Sequence, residues 1–273
     1  MICTNCPHKC DISEGGTGRC HARGTSDGKV ICKNYGRVTS LALDPIEKKP
    51  LAMFHPGSKI LSAGSYGCNM HCMWCQNDSI SRGYVEADYL SPEELCDIAC
   101  RKTGQGNIGL AYTYNEPSVG YEFVYDCARL VREMGMINVM VTNGLLDPER
   151  FDALSAHIDA YNIDLKTSDP QKYASIGGDL DVIIRNIKSA SDHGCHVELT
   201  TLVVPGFNDD EDDFRRIVQV TADTDPSIPL HITRFFPAAQ YTHKHPTDIK
   251  VLRRFYDMAK NRTGKRIYGE CLK

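Results

Sequence analysis

The chain reads as an α/β protein: a partial (β/α)6 barrel over residues 58–273, preceded by a small cysteine-rich module over residues 1–57. Three observations predict this. From Lys59 onward, short apolar runs alternate with longer amphipathic stretches, the rhythm of parallel βαβ units. Several of those stretches open with clear helix-start signals. Before Lys59 the rhythm is absent, and Cys, Gly, Lys and Arg are abundant instead.

In the first segment, Asp11–Gly18 is dense in turn formers, and Lys29–Leu43 reads as a short hairpin. So little apolar sequence does not hold a fold by burial alone, so the module calls for a staple. The predicted barrel strands are Lys59–Ser65, Ile108–Tyr114, Asn138–Asn143, Ala160–Leu165, His196–Val204 and Leu230–Phe236, with Ile267-Tyr268 as a short last one. Ser91-Pro92-Glu93-Glu94 starts a helix with a cap, a proline at the first helical position and acids in the first turn. Asp147-Pro148-Glu149 repeats the device. Asn208–Asp213 gives the next helix an acidic start, and Thr247-Asp248 opens the last. In parallel α/β architectures, sites gather at the C-terminal ends of the strands.

Composition narrows the function classes. The chain carries 41% hydrophobic and 24% charged residues and a net charge of −4, so it has no bulk electrostatic footprint for nucleic acid or an anionic membrane. The N-terminus lacks a basic region followed by an apolar run. No stretch approaches the roughly 20 apolar residues that span a bilayer. The expectation is a cytoplasmic protein with no nucleic-acid and no membrane partner. There cysteines stay reduced, and clusters of them mark metals or catalysis. Of the 13 cysteines, Cys3, Cys6, Cys10 and Cys20 form one group and Cys68, Cys72 and Cys75 another. Cys32, Cys96, Cys100, Cys127, Cys195 and Cys271 are scattered. Cys96, Cys100 and Cys127 lie on apolar-periodic helical stretches and read as ordinary buried residues.

The segment Gly67-Cys68-Asn69-Met70-His71-Cys72-Met73-Trp74-Cys75-Gln76-Asn77 directly follows the first barrel strand. Its C-x3-C-x2-C spacing sets three thiolates on one tight loop. An iron–sulfur cube takes four ligands, so three from protein leave one iron open to a small molecule. Zinc is the alternative left open by spacing, with His71 or distant Cys195 as a fourth donor.

A C-x3-C-x-aromatic-C loop after the first strand of a partial barrel resembles the radical S-adenosylmethionine (SAM) superfamily. The resemblance covers about residues 59–270. It implies a [4Fe–4S] cluster on Cys68, Cys72 and Cys75 whose open iron chelates S-adenosylmethionine. It also implies one-electron cleavage to a 5′-deoxyadenosyl radical that abstracts hydrogen, with a reductant such as flavodoxin or ferredoxin. Later strand ends carry further likenesses. Tyr114-Asn115-Glu116-Pro117 is similar to the Gly-Gly-Glu-Pro motif that binds the methionine amino group, with Asn115 in place of a glycine. Thr142-Asn143-Gly144 and Asp164-Leu165-Lys166 resemble segments that surround ribose and carboxylate in glycyl-radical-enzyme activases. Val203-Val204-Pro205-Gly206-Phe207 resembles the apolar wall beside adenine. The cofactor contacts implied are therefore Trp74, Asn115, Glu116, Asn143, Asp164, Lys166 and Val204. On the sixth strand Arg234 reads as a carboxylate partner or a structural ion pair, since a buried guanidinium needs an anion.

Cys3-x2-Cys6-x3-Cys10-x9-Cys20 supplies enough thiolates to close a site, either structural zinc or a second iron–sulfur cluster. Cys32 is a substitute ligand. With Asp44–Leu51, His55–Ser58 and the His231–Pro237 strand, these cysteines make the chain similar to the AmmeMemoRadiSam-system radical enzymes, relatives of pyruvate formate-lyase-activating enzyme. There are two departures. Activases usually carry Asp before Thr-Asn-Gly, where a cation binds, but this chain has Val141. Their ferredoxin-like inserts follow the cluster loop, whereas the extra cysteines here precede the barrel. The expected function is hydrogen abstraction from a protein or small-molecule substrate, with glycyl-radical-enzyme activation as its narrower form. The competing expectation is a non-enzymatic zinc-binding interaction protein on a barrel scaffold.

Overall fold

The computed structural model describes residues 1–83, 85–263 and 267–269. Near its start, Asp27 and Gly28 both take left-handed backbone, with φ of 53° and 68°. A two-residue turn therefore joins β1 (Arg23–Ser26) to antiparallel β2 (Lys29–Cys32). Asp-Gly is the pair that such turns favour. The hairpin thus begins upstream of the expected Lys29–Leu43 and shares only its second strand with it. Beyond it come the short β3 (Arg37–Val38) and then β4 (Ser40–Pro45). β4 pairs antiparallel with β5 (Lys59–Gly64) along its whole length, from Ser40 opposite Gly64 to Pro45 opposite Lys59. The Cys-rich segment therefore contributes one strand to the main sheet.

That sheet has eight strands. After β5 and the small β6 (Asp88–Tyr89, paired with β3) follow β7 (Asn107–Tyr112), β8 (Ile137–Thr142), β9 (Ala160–Asp164), β10 (His196–Val203), β11 (Leu230–Arg234) and β12 (Ile267–Gly269). The order is β4-β5-β7-β8-β9-β10-β11-β12, and all pairs but β4–β5 are parallel. The six expected strands all form, and the expected short last strand is β12. Gly109 sits where β7 meets β8. A Cβ there would lie 1.8 Å from the Ile137 carbonyl oxygen, so only glycine allows this strand spacing.

The helices are α1 (Asp78–Arg82), α2 (Pro92–Arg101), α3 (Tyr121–Glu133), α4 (Pro148–Ser155), α5 (Pro170–Ser175), α6 (Leu180–Asp192), α7 (Glu211–Thr224) and α8 (Ile249–Thr263). Their starts follow the sequence signals. The Ser91 hydroxyl accepts from the Glu94 amide while the Glu94 carboxylate accepts from the Ser91 amide, a complete capping box on α2. Asp147, Asp179 and Asp210 cap α4, α6 and α7. Buried apolar residues of α2 to α8 pack on the strands in one continuous core. Cys96 and Cys127 are buried in it, whereas Cys100 is exposed at the last turn of α2, a correction to its expected burial. Cys271 lies outside the described residues.

A second, smaller core closes one end of the barrel. Ile46 and Leu51, from the segment after β4, pack on Ile60, Ala111, Val139 and Ala160. Glu198, fully buried on β10, accepts from the amides of Ala52 (3.0 Å) and Met53 (2.8 Å). It also pairs with His196 at 2.8 Å and His231 at 2.6 Å. Burial works to raise its pKa, but these four partners prevail and lower it to about 2.

Candidate active site

Strand alternation puts Thr200 and Leu202 on the same face of β10 as Glu198, one and two steps nearer the C-terminal end. There the barrel opens into a cleft of about 360 Å³, a size typical of small-molecule sites.

The loop after β5 brings Cys68, Cys72 and Cys75 to this cleft, with Met70 and Trp74. Gly67 starts it at φ 93°, and a Cβ there would sit 2.5 Å from the Cys20 carbonyl oxygen. The Cys68 sulfur accepts from the Met70 amide at 3.4 Å and from Asn143 Nδ2 at 3.7 Å. Burial pushes the Cys68 and Cys72 thiols up; the Glu116 charge adds to this at Cys68, and Lys166 opposes it at Cys72. Trp74 is buried against Phe207 at 4.5 Å and Tyr241 at 5.6 Å, which fixes the loop from the far side.

The strand ends that follow supply polar walls. Asn115 donates to the carbonyls of Tyr66 (3.1 Å) and Gly67 (3.2 Å) and accepts from the Ser65 amide (2.9 Å). It thereby ties the second loop to the first. Glu116 is buried, and its carboxylate accepts from the Thr142 hydroxyl (2.6 Å), the Asn143 amide (2.7 Å) and the Ser118 amide (3.0 Å). Burial still raises its pKa against those donors. Asn143 in turn donates to Asn69 Oδ1 at 2.9 Å, returning the network to the cluster loop. Across the cleft Lys166 and Asp164 pair at 2.7 Å. Burial disfavours the Lys166 charge, but the carboxylate outweighs it and holds the ammonium well above the usual lysine range. Val141 adds an apolar surface to the lining.

Trp74, Asn115, Glu116, Asn143, Asp164 and Lys166 thus share one cleft with the three thiols. Val204 does not: it is fully buried outside the lining, and Thr200 and Leu202 take its place on that strand. Arg234 is also outside. Its Nε donates to the Thr247 carbonyl at 2.8 Å and its guanidinium stacks on Phe236. Neighbouring Thr233 lines the cleft instead. His71 and Cys195 are not in the lining either. Cys195 approaches the Ile158 carbonyl at 3.1 Å, near the opposite end of β10. Sequence reading missed Lys48 and Lys49, which reach the cleft from the segment after β4. Lys49 is buried, paired with Asp44 at 2.9 Å and stacked on Tyr114. The doublet close to an acid was the available signal.

Cys3, Cys6, Cys10 and Cys20 line a second, smaller cavity with His8 and Asn69, while Cys32 donates to Asn34 at 3.1 Å away from it. Among the described residues, no three His, Cys, Asp or Glu side chains meet at a single metal-ion position. Both cysteine sets frame a cavity instead.

A family model described as the radical SAM superfamily matches residues 63–218, more than half of the chain. The chain belongs to the radical SAM superfamily. This radical SAM protein is 39% identical over 263 residues to an uncharacterized protein of Methanocaldococcus jannaschii, covering 95% of this chain and 76% of that one. It is 33% identical over 167 residues to a GTP 3′,8-cyclase of Peptoclostridium acidaminophilum, but covers 59% of itself and half of that enzyme. Among solved structures, it overlays a radical SAM methyltransferase of Sphaerobacter thermophilus with a TM-score of 0.60 at 15% identity, covering 80% and 67% of the two chains. SuiB of Streptococcus suis, bound to precursor peptide SuiA, gives 0.61 at 14% identity, covering 75% and 46%. These overlays show a shared fold.

Membership in this superfamily makes the radical SAM protein an enzyme and implies a [4Fe–4S] cluster and S-adenosylmethionine. The donor set fits: three thiols from one loop line one cleft, and its described lining holds no fourth cysteine and no histidine. Among the described residues, no helix is long and apolar enough to cross a membrane.

Proposed function

We propose that Cys68, Cys72 and Cys75 hold the cluster and that the protein abstracts hydrogen from a substrate entering the same cleft. The observation that carries this is the continuous network Cys68–Asn143–Glu116–Thr142, which joins three strand-end loops beside the thiols. When bound, the cluster supplies one electron that cleaves S-adenosylmethionine into methionine and a 5′-deoxyadenosyl radical. Glu116 fixes the Asn143 and Ser118 amides and leaves a free lone pair on Oε2 as an acceptor for an ammonium group. Lys166 offers a charged donor to a carboxylate or a hydroxyl, and the buried Trp74 ring presents a flat apolar wall. Val141 replaces the acid that would hold a cation.

Glycyl-radical-enzyme activation is the narrower form of this proposal. The resemblance carried by the strand-end motifs supports it. We place the protein in the cytoplasm, with a flavodoxin or ferredoxin as electron source, and assign a metal group to the N-terminal cysteines.

The test is anaerobic: reconstitution with iron and sulfide, addition of S-adenosylmethionine and dithionite, and quantification of 5′-deoxyadenosine. Product is expected from the wild type and none from Cys72→Ala. Equal product from both would remove the three cysteines from the reaction.

A further inference from the structure

The two cysteine sets touch. The Cys68 amide donates to the Cys20 carbonyl at 3.2 Å. One hydrogen bond and the two cysteines' own atoms therefore connect a thiol of the N-terminal set to a thiol of the barrel set. Gly67 makes this approach possible, because any side chain there would strike the Cys20 carbonyl. His8 adds a second contact, 2.8 Å from the Asn69 carbonyl, and Asn69 itself lines the N-terminal cavity.

The N-terminal set also runs from the surface inward. Cys6 and Cys10 are partly exposed, and Cys3 and Cys20 are buried. On the barrel side the Met70 amide donates to the Cys68 sulfur at 3.4 Å, and hydrogen bonds to sulfur tune iron–sulfur potentials. The barrel set, like the N-terminal one, is not closed on a single-ion position, so that property does not separate the two.

We propose that Cys3, Cys6, Cys10 and Cys20 ligate a second iron–sulfur cluster through which electrons enter the barrel cluster. The proposal rests on the reading of Cys68, Cys72 and Cys75 as cluster ligands. The cleft is the front of the barrel site, and cofactor and substrate fill it during turnover. The N-terminal module covers the back of the same loop and reaches solvent. A one-electron donor of the flavodoxin or ferredoxin class is oxidised at the module, and the barrel cluster is reduced by the same electron. No bond forms or breaks in the transfer.

The first measurement needs no variant. Wild-type protein, reconstituted anaerobically with iron and sulfide, is analysed for iron, sulfide and zinc, then reduced and examined by electron paramagnetic resonance. Iron near twice that of a single four-iron cluster and two interacting signals are expected. One cluster and one zinc per chain overturn the proposal. The second measurement uses Cys6→Ser with Cys20→Ser, checked for a native thermal transition. The variant is expected to lose about half its iron and keep the barrel signal. Its 5′-deoxyadenosine production should stay within about twofold of wild type with dithionite and fall roughly tenfold or more with reduced flavodoxin. Equal rates from the two proteins with flavodoxin overturn the relay even if both clusters are present. A wild type that carries both clusters but never cleaves S-adenosylmethionine counts against the proposed function and leaves the second cluster standing.

Discussion

The Asn143 amide donates to the Glu116 carboxylate at 2.7 Å, and through this bond the second and third strand-end loops become one rigid shelf beside Cys68. Removing the carboxylate strands several buried donors at once. An unpaired buried donor costs about 1–3 kcal/mol. Glu116→Ala is therefore expected to lower thermal stability by at least that much and cut 5′-deoxyadenosine formation roughly tenfold or more, about 1.4 kcal/mol of barrier. Glu116→Gln should recover stability better than activity. Thermal melts and product quantification check both, and an Ala variant with wild-type cleavage would discount the shelf.

Glu198 gives a pH prediction. Its folded pKa of about 2 lies below the ordinary glutamate value of 4.5. A depressed carboxylate stabilises the fold fully above the unfolded value and loses that contribution as pH falls through the folded one. The effect is on the order of 3 kcal/mol. The melting-temperature gap between wild type and Glu198→Gln should therefore be widest near neutrality and shrink between about pH 4.5 and pH 2. A gap independent of pH over that window would mean that the carboxylate's charge is unimportant.

The buried Lys49–Asp44 pair makes a third. Breaking a buried pair by removing one partner costs about 3–5 kcal/mol, because the other charge stays behind. Tyr114, which donates to Asp44 at 2.7 Å, and Lys48 soften this loss. Lys49→Met is expected to destabilise by about 3 kcal/mol and the double variant Lys49→Met/Asp44→Asn by less than the two single effects combined. Urea unfolding of the four proteins measures the coupling, and strict additivity would refute it.

On α2, Ser91→Ala removes one arm of the capping box and should cost about 1 kcal/mol with no change in cleavage chemistry. A loss of activity in that variant, with the melt unchanged, would tie α2 to the site in a way its position does not suggest.

What the sequence made legible was local. Six strands, their helix starts and the three-cysteine loop are each written in adjacent residues, and the structure gathers the strand-end motifs as their order implied. The misses are long-range. Nothing near Ile46 or Leu51 signals that they close the barrel, because their partners lie on strands far along the chain. Glu198 looks like one polar residue in an apolar strand until His196, His231 and the Ala52 and Met53 amides converge on it. The resemblance implies Val204 at the adenine wall, but Val204 lies just past the last residue of β10 and is fully buried, so Leu202 is the residue of that strand end that lines the cleft. The hairpin differs for another reason: its turn is Asp27-Gly28, a local signal that lies just before Lys29.

The segment between β4 and β5 has a further consequence. Ile46 and Leu51 floor a barrel whose strands are otherwise all supplied later in the chain, and Glu198 anchors Ala52 and Met53 from beneath. Deleting residues 1–57 would strip an edge strand and pull out this floor together, leaving Ile60, Ala111, Val139 and Ala160 facing water. The cysteine-rich segment is therefore no detachable appendage, and the catalytic barrel is not the smallest autonomous unit of this polypeptide.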